Sequence, residues 1–229
     1  MTKFAERTGR LTDRFGGRWI GVRFLDTPPG GAVADEMRFC EAVMRAATSR
    51  VVLTDESVTC PGAKRSFGWA AGMDEGLAES MATRQGLPLA VTRELVRSTP
   101  RLDGGMQAVE VGGTGRPDLV LCYATPLIVM KVVRAVELGT GKTLAQSLSG
   151  ALSVCGNVAA RCVKTGEVSI SFGCRQSREA GYIGRESLAV AMPWAFVERL
   201  LGEPERTPRE FDPSPAGRMP ELDRIGSAR

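Results

Sequence analysis

The chain has 229 residues, 43% hydrophobic and 24% charged, with a formal net charge of +4. That is enough apolar material for a sizeable core. The charge excess is too small and too dispersed, with no run of five like charges, for the electrostatic footprint of a nucleic-acid binder. No stretch approaches the roughly eighteen apolar residues of a membrane span, and the charged N-terminus lacks the apolar centre of a signal peptide, so a cytoplasmic protein is expected.

Residues 2–15 read as a first helix, with Phe4, Leu11 and Phe15 near helical spacing and Gly16 and Gly17 ending the pattern. A strand follows over 19–25, where Ile20, Val22 and Phe24 alternate with Gly21 and Arg23. After a Pro/Gly loop, 34–48 reads as an amphipathic helix with Asp35 and Glu36 at its start and Met37, Cys40, Val43 and Met44 on one face. A short strand is expected over 51–54. Pro61 suits the first position of the next helix, and 75–98 reads as one or two helices. Strands are predicted over 106–113 and 118–124; the second is continuously apolar, as a strand buried on both faces would be. Helices over 126–138 and 149–163, strands over 167–173 and 187–192, and a last helix opened by Pro193 complete the pattern.

Helices and strands mix without strict alternation. The expectation is an α/β or α+β fold, a single compact domain over 1–202 with a mixed central sheet flanked by helices. Residues 203–229 carry five prolines and few apolar residues. This tail is expected to be extended, disordered or strapped over the surface through Phe211, Met219 or Leu222.

Two glycine-rich stretches carry little chemistry. In "ELGTGKT", 137–143, a phosphate loop would need glycine at 136, where Val136 stands; the stretch reads as a helix C-terminus. "EVGGTGRPD", 110–118, reads as a connecting loop.

The chain has six cysteines and no histidine. Any metal site must therefore use thiolates, carboxylates or backbone oxygens, and any proton transfer needs Asp, Glu, Lys, Tyr or Cys. With no secretory signal, a disulfide framework is not expected. Cys122, inside an apolar strand, and Cys162 read as packing residues. Cys40 precedes Glu41 on a helix, Cys60 stands in "TCPGA", Cys155 in "VCGN" and Cys174 in the strand-exit turn "GCRQSRE". Helix starts and nearby arginines favour the thiolate, most of all at Cys60 and Cys174. Gly62, Gly156 and Gly173 leave room beside the sulfurs. Converging thiolates would suit a four-cysteine iron–sulfur cluster or a zinc ion, although no C-x-x-C pair is present.

In order along the chain, "RFCEAVMRAA", "LTDESVTCPGAKRSFGW", "RPDLVLCYATPLIVMKVVRA", "GALSVCGNVAA" and "VSISFGCRQSREAGYIGRESLAVAMP" resemble domain-of-unknown-function family 169, found in bacteria and archaea. The resemblance covers roughly residues 5 to 202. The family's recurring cysteines match Cys40, Cys60, Cys155 and Cys174, and its recurring turn arginine matches Arg178. Gln176 stands where many relatives have glycine. The resemblance implies a pocket built on the four cysteines, without supplying a reaction.

Two functional classes follow. In the first, Cys40, Cys60, Cys155 and Cys174 ligate a metal or a [4Fe–4S] cluster, with zinc as the alternative, in a redox or cofactor-metabolism protein acting on a small anionic substrate. Arg175, as a cofactor-binding residue, and Arg178, as a catalytic one, would offset the negative charge of thiolate-bound metal or hold an anionic substrate by a forked contact; if one cysteine is instead a nucleophile, Glu41 would be its catalytic acid–base partner. In the second, the protein is a metal-free module whose cysteines and arginines line a small-molecule pocket. A small anion or redox partner is expected in either class, nucleic acid and membrane are not, and a homo-oligomer is left open.

Overall fold

The computed structural model describes residues 3–30, 35–70, 72–146 and 148–202. Helix α1 (Lys3–Phe15) leads into β1 (Ile20–Leu25), α2 (Phe39–Arg45), β2 (Val51–Thr54), α3 (Pro61–Ser66), α4 (Asp74–Gln85) and α5 (Leu89–Ser98). Strands β3 (Ala108–Val111) and β4 (Leu119–Ala124) and helix α6 (Pro126–Thr140) follow. A π-helix (Ser153–Ala160) then runs into α7 (Arg161–Thr165), ahead of β5 (Ser169–Ser171), α8 (Arg175–Glu179), β6 (Leu188–Pro193) and α9 (Trp194–Gly202). The strands form one sheet in the order β2-β3-β1-β4-β6-β5. The fold is α+β, a sheet flanked by helices as expected. The strands, expected to run in mixed directions, pair antiparallel throughout.

Side-chain alternation assigns the two faces. Leu119 and Leu121 of β4, Ala189 and Ala191 of β6, Val22 of β1 and Val109 and Val111 of β3 join a core that contains residues of α2, α3 and the π-helix. Val120 and Cys122, Val190 and Met192, and Ile170 point the other way, into a core with α1, α6 and α9. The α4–α5 pair packs outside the first layer through Leu77, Ala78, Met81 and Val96, against Ala151 and Leu152. It is tied down by the buried Arg65, whose guanidinium donates to Asp74 (2.9 Å) and to the Thr99 carbonyl (2.8 Å). Glu110 of β3, also buried, pairs with Arg23 (2.8 Å) and Arg50 (2.5 Å), as a carboxylate removed from water requires.

Residues 112–118 carry the chain from β3 to β4 across β1. Gly112 and Asp118 donate to the carbonyls of Gly21 and Val22 (2.9 Å each). A Cβ on Gly21 would stand 2.7 Å from the Phe4 ring and 3.4 Å from Pro117, so a side chain there would have to push the Phe4 ring aside. The stretch 137–143 is the helix end it was expected to be: α6 stops at Gly141, φ +68°, whose N–H donates to the Glu137 carbonyl (2.8 Å).

Three local differences matter. The helix expected over 34–48 is reduced to α2, because Met37 pairs as a parallel bridge with Val58, accepting from Thr59 (3.0 Å) and donating to Ser57 (2.9 Å). The helix expected over 149–163 starts at 153 and is wound as a π-helix. The turn after β5 contains the short helix α8. The tail expected at 203–229 lies outside the described residues. Among the described residues, no helix is long and apolar enough to cross a membrane.

Candidate functional site

Four cysteines from four separate elements line one small cavity of about 20 Å³ on the first face of the sheet. Cys40 is the second residue of α2, and Cys60 is the extended residue just ahead of α3 (φ −90°, ψ 111°). Cys155 lies in the π-helix, and Cys174 is the extended residue ahead of α8 (φ −76°, ψ 156°). Cys40 and Cys155 are buried; Cys60 and Cys174 are half-buried. The cavity has room for at least one water-sized body.

Local sequence explains this convergence. The π-helix is entered through Leu152 at φ +48°. Its wider turn is marked by the Asn157 N–H donating to the Leu152 carbonyl (3.0 Å), and the Asn157 side-chain amide donates to the Ala151 carbonyl (3.1 Å). π-Helical turns are rare and concentrate at functional sites, and all eight residues of this one are buried. Gly156 lets it close on α3 and the end of α5, for a Cβ would fall 2.4 Å from Thr99 Cγ2 and 3.0 Å from Ser66 Oγ. Across the cavity, Ser153 Oγ donates to Ser171 Oγ (2.7 Å) and accepts from the Gly173 N–H (2.8 Å), which fixes the turn before Cys174. Gly173 has φ +82°, and a Cβ there would press on Ile183 Cδ1 at 2.5 Å, so a side chain is excluded on both counts.

The thiols are electrostatically coupled. Burial, opposed by a hydrogen bond with Ser177, pushes Cys40 up to about 11, with Cys174 and Cys60 adding to the rise. Burial raises Cys155 well above the usual thiol range, reinforced by Cys60 and Cys174 and opposed by a hydrogen bond with Ser66. Tyr123, which donates to the Cys40 carbonyl (2.9 Å), is raised by burial and then by the same thiols. Negative charge in this cavity is thus disfavoured unless a cation shares it.

A larger pocket of about 280 Å³ lies against the cysteines. Cys60, Cys155 and Cys174 line both spaces, whereas Cys40 lines only the inner cavity. Leu77, Met81 and Leu152 supply apolar wall, and Arg84, Arg175 and Glu179 also line the pocket.

The expected site residues divide accordingly. Cys40, Cys60, Cys155 and Cys174 come together. Among the described residues, however, no group of three or more Cys, Asp or Glu is arranged to hold a metal ion as it stands. Cys122 and Cys162 are core residues, 1% and 0% exposed. Arg175 lines the outer pocket and pairs with Glu179 (2.6 Å). Arg178 lines neither space. Its guanidinium donates to the carbonyls of Gly184 (2.9 Å), Arg185 (2.8 Å), Ser187 (2.7 Å) and Phe172, and so clamps the 184–187 loop to the end of β5. Glu41 also lines neither; it pairs with Arg45 (2.7 Å) and hydrogen-bonds Tyr182. This placement gives no support to the catalytic roles expected of Glu41 and Arg178.

Sequence reasoning missed Ser177, Ser66 and Arg38. Ser177 Oγ lies 2.7 Å from Cys174 Sγ. Arg38 lines the inner cavity and donates to Gln176 (2.8 Å). The spacing Cys174-x-x-Ser177, a polar side chain one turn into a helix that starts at a cysteine, was the available signal.

The chain matches domain of unknown function 169, described as uncharacterised ArCR, over residues 14–203. It belongs to that family. The family-169 match takes in all four converging cysteines and both spaces they line. No curated protein and no solved structure matches the chain.

Proposed function

We propose that this family-169 chain holds a metal centre on Cys40, Cys60, Cys155 and Cys174, an iron–sulfur cluster first and a zinc ion as the alternative. One observation carries the reading: four cysteines up to 134 residues apart in sequence line a single cavity. Buried thiols that raise one another's pKa gain little by meeting. A cation would repay the arrangement by taking the thiolates' charge and releasing their protons. A polynuclear cluster is preferred because it brings its own sulfides and spreads its cysteines around a cubic core. A single zinc ion needs its four sulfurs drawn to about 2.3 Å from one point.

Anaerobic purification followed by iron, zinc and acid-labile sulfide analysis tests this. Iron and sulfide in equal amounts, with a brown colour from sulfide-to-iron charge transfer, support the cluster. Zinc without sulfide supports the alternative. Metal-free protein with four titratable thiols at the site refutes both. The outer pocket favours one further reading, a metal-free binding module, which that last result would leave standing.

A further inference from the structure

We propose that the outer pocket binds a small organic carboxylate, its charged end on Arg84 and its apolar body against Leu77 and Met81, so that the ligand's far end meets the cysteines. Leu77, Met81 and Arg84 fall at i, i+4 and i+7 of α4, on one helix face, and all three line the pocket. The pocket's roughly 280 Å³ lies just under the range of about 300–1,000 Å³ typical for drug-sized ligands, which sets a metabolite-sized limit. Its two guanidinium groups differ. Arg175 is paired with Glu179, whereas Arg84 pairs with no carboxylate among the described residues and spends only its Nε on the Ser80 carbonyl (3.2 Å). A carboxylate matches the unused side of that fork.

The direction of the ligand follows from the other wall. An anion pushed past Arg84 to the buried Cys155 would lose its hydration. The same anion beside exposed Arg84 is stabilised. The inference rests on the proposed metal centre only for what the far end of the ligand meets; binding of the carboxylate does not require a metal.

Hexanoate and its uncharged isostere hexanamide, titrated against the full-length chain by calorimetry and saturation-transfer NMR, form the test. Hexanoate should bind saturably at millimolar concentration, and hexanamide about tenfold more weakly, the factor expected from one lost charge-assisted contact. Arg84→Gln should reduce hexanoate to the level of hexanamide. Gly150 lines the pocket with open space around its Cα, so Gly150→Phe should block both probes while leaving the circular dichroism unchanged. Equal affinity for the two probes, hexanoate binding indifferent to either substitution, or no saturable binding of hexanoate would each overturn the proposal. Iron, zinc and sulfide measured on the same preparations report on the metal centre separately.

Discussion

At the scale of the residue, the cysteine ring has a measurable cost in alkali. Burial pushes Cys40 up to about 11 in the fold, against about 8.5 for a free thiol. Below the lower value both folded and unfolded chains hold the proton. Between the two the unfolded chain loses it first, so stability of the metal-free protein falls as pH rises through that window. Urea unfolding from neutral pH to pH 11 should show that loss, and Cys40→Ser should reduce it by on the order of 2–3 kcal/mol. Parallel curves would mean that Cys40 is not held protonated by burial. Ser177→Ala, which removes the hydrogen bond that works against burial at Cys40, should move the appearance of thiolate ultraviolet absorbance to higher pH. Arg178 belongs to a different class. Its clamp on four carbonyls predicts that Arg178→Ala destabilises the fold by about 2–4 kcal/mol in denaturant unfolding; a loss of ligand binding at unchanged stability would restore it to the site.

At the scale of the element, the π-helix sets the spacing between Cys155 and the other thiols. Gly156→Ala should cost about 1–3 kcal/mol by overpacking, since the new methyl must displace Thr99 or Ser66; thermal melts that match the parent would show that the segment yields easily. The π-winding was not legible in the sequence. Small residues over 149–163 specify a closely packed helix, and only the tertiary contacts of Gly156 and the left-handed Leu152 select the wider turn. The strands were legible because alternation and continuous apolar runs report burial directly, which is why β4 and β6 fall within a residue or two of where they were expected. The shortened α2 was not, for the bridge between Met37 and Val58 is a long-range contact that local periodicity does not register. Within the site, the meeting of the four cysteines was readable from their glycine-flanked contexts and the family resemblance. What Arg178 and Glu41 touch was not readable, because a charged side chain near a motif looks the same whether it faces a cavity, a carbonyl or a neighbouring ion.

At the scale of the whole molecule, residues 203–229 carry five prolines and few apolar residues, a composition that offsets little of the cost of ordering a chain. A chain ending at Gly202 should therefore melt cooperatively at close to the full-length midpoint, and a broad, non-cooperative melt would show that the following residues contribute to the core. Strand order has a further consequence, for synthesis. The first strand to leave the ribosome lies in the interior of the sheet, where Val22 pairs with both Val111 and Leu119, and α1 is held by α9 through Arg7 and Glu198, with Arg10 donating to the Leu201 carbonyl (2.8 Å). Contacts of such sequence separation close late and slowly, so β1 waits unpaired until β3, which ends at Val111, has emerged. Cys174 is the last of the four thiols to appear, and its turn is fixed by a serine network that needs β5. If the proposed metal centre forms on these four thiols, ribosome-bound chains stalled before Cys174 should take up none of the metal that the released protein retains.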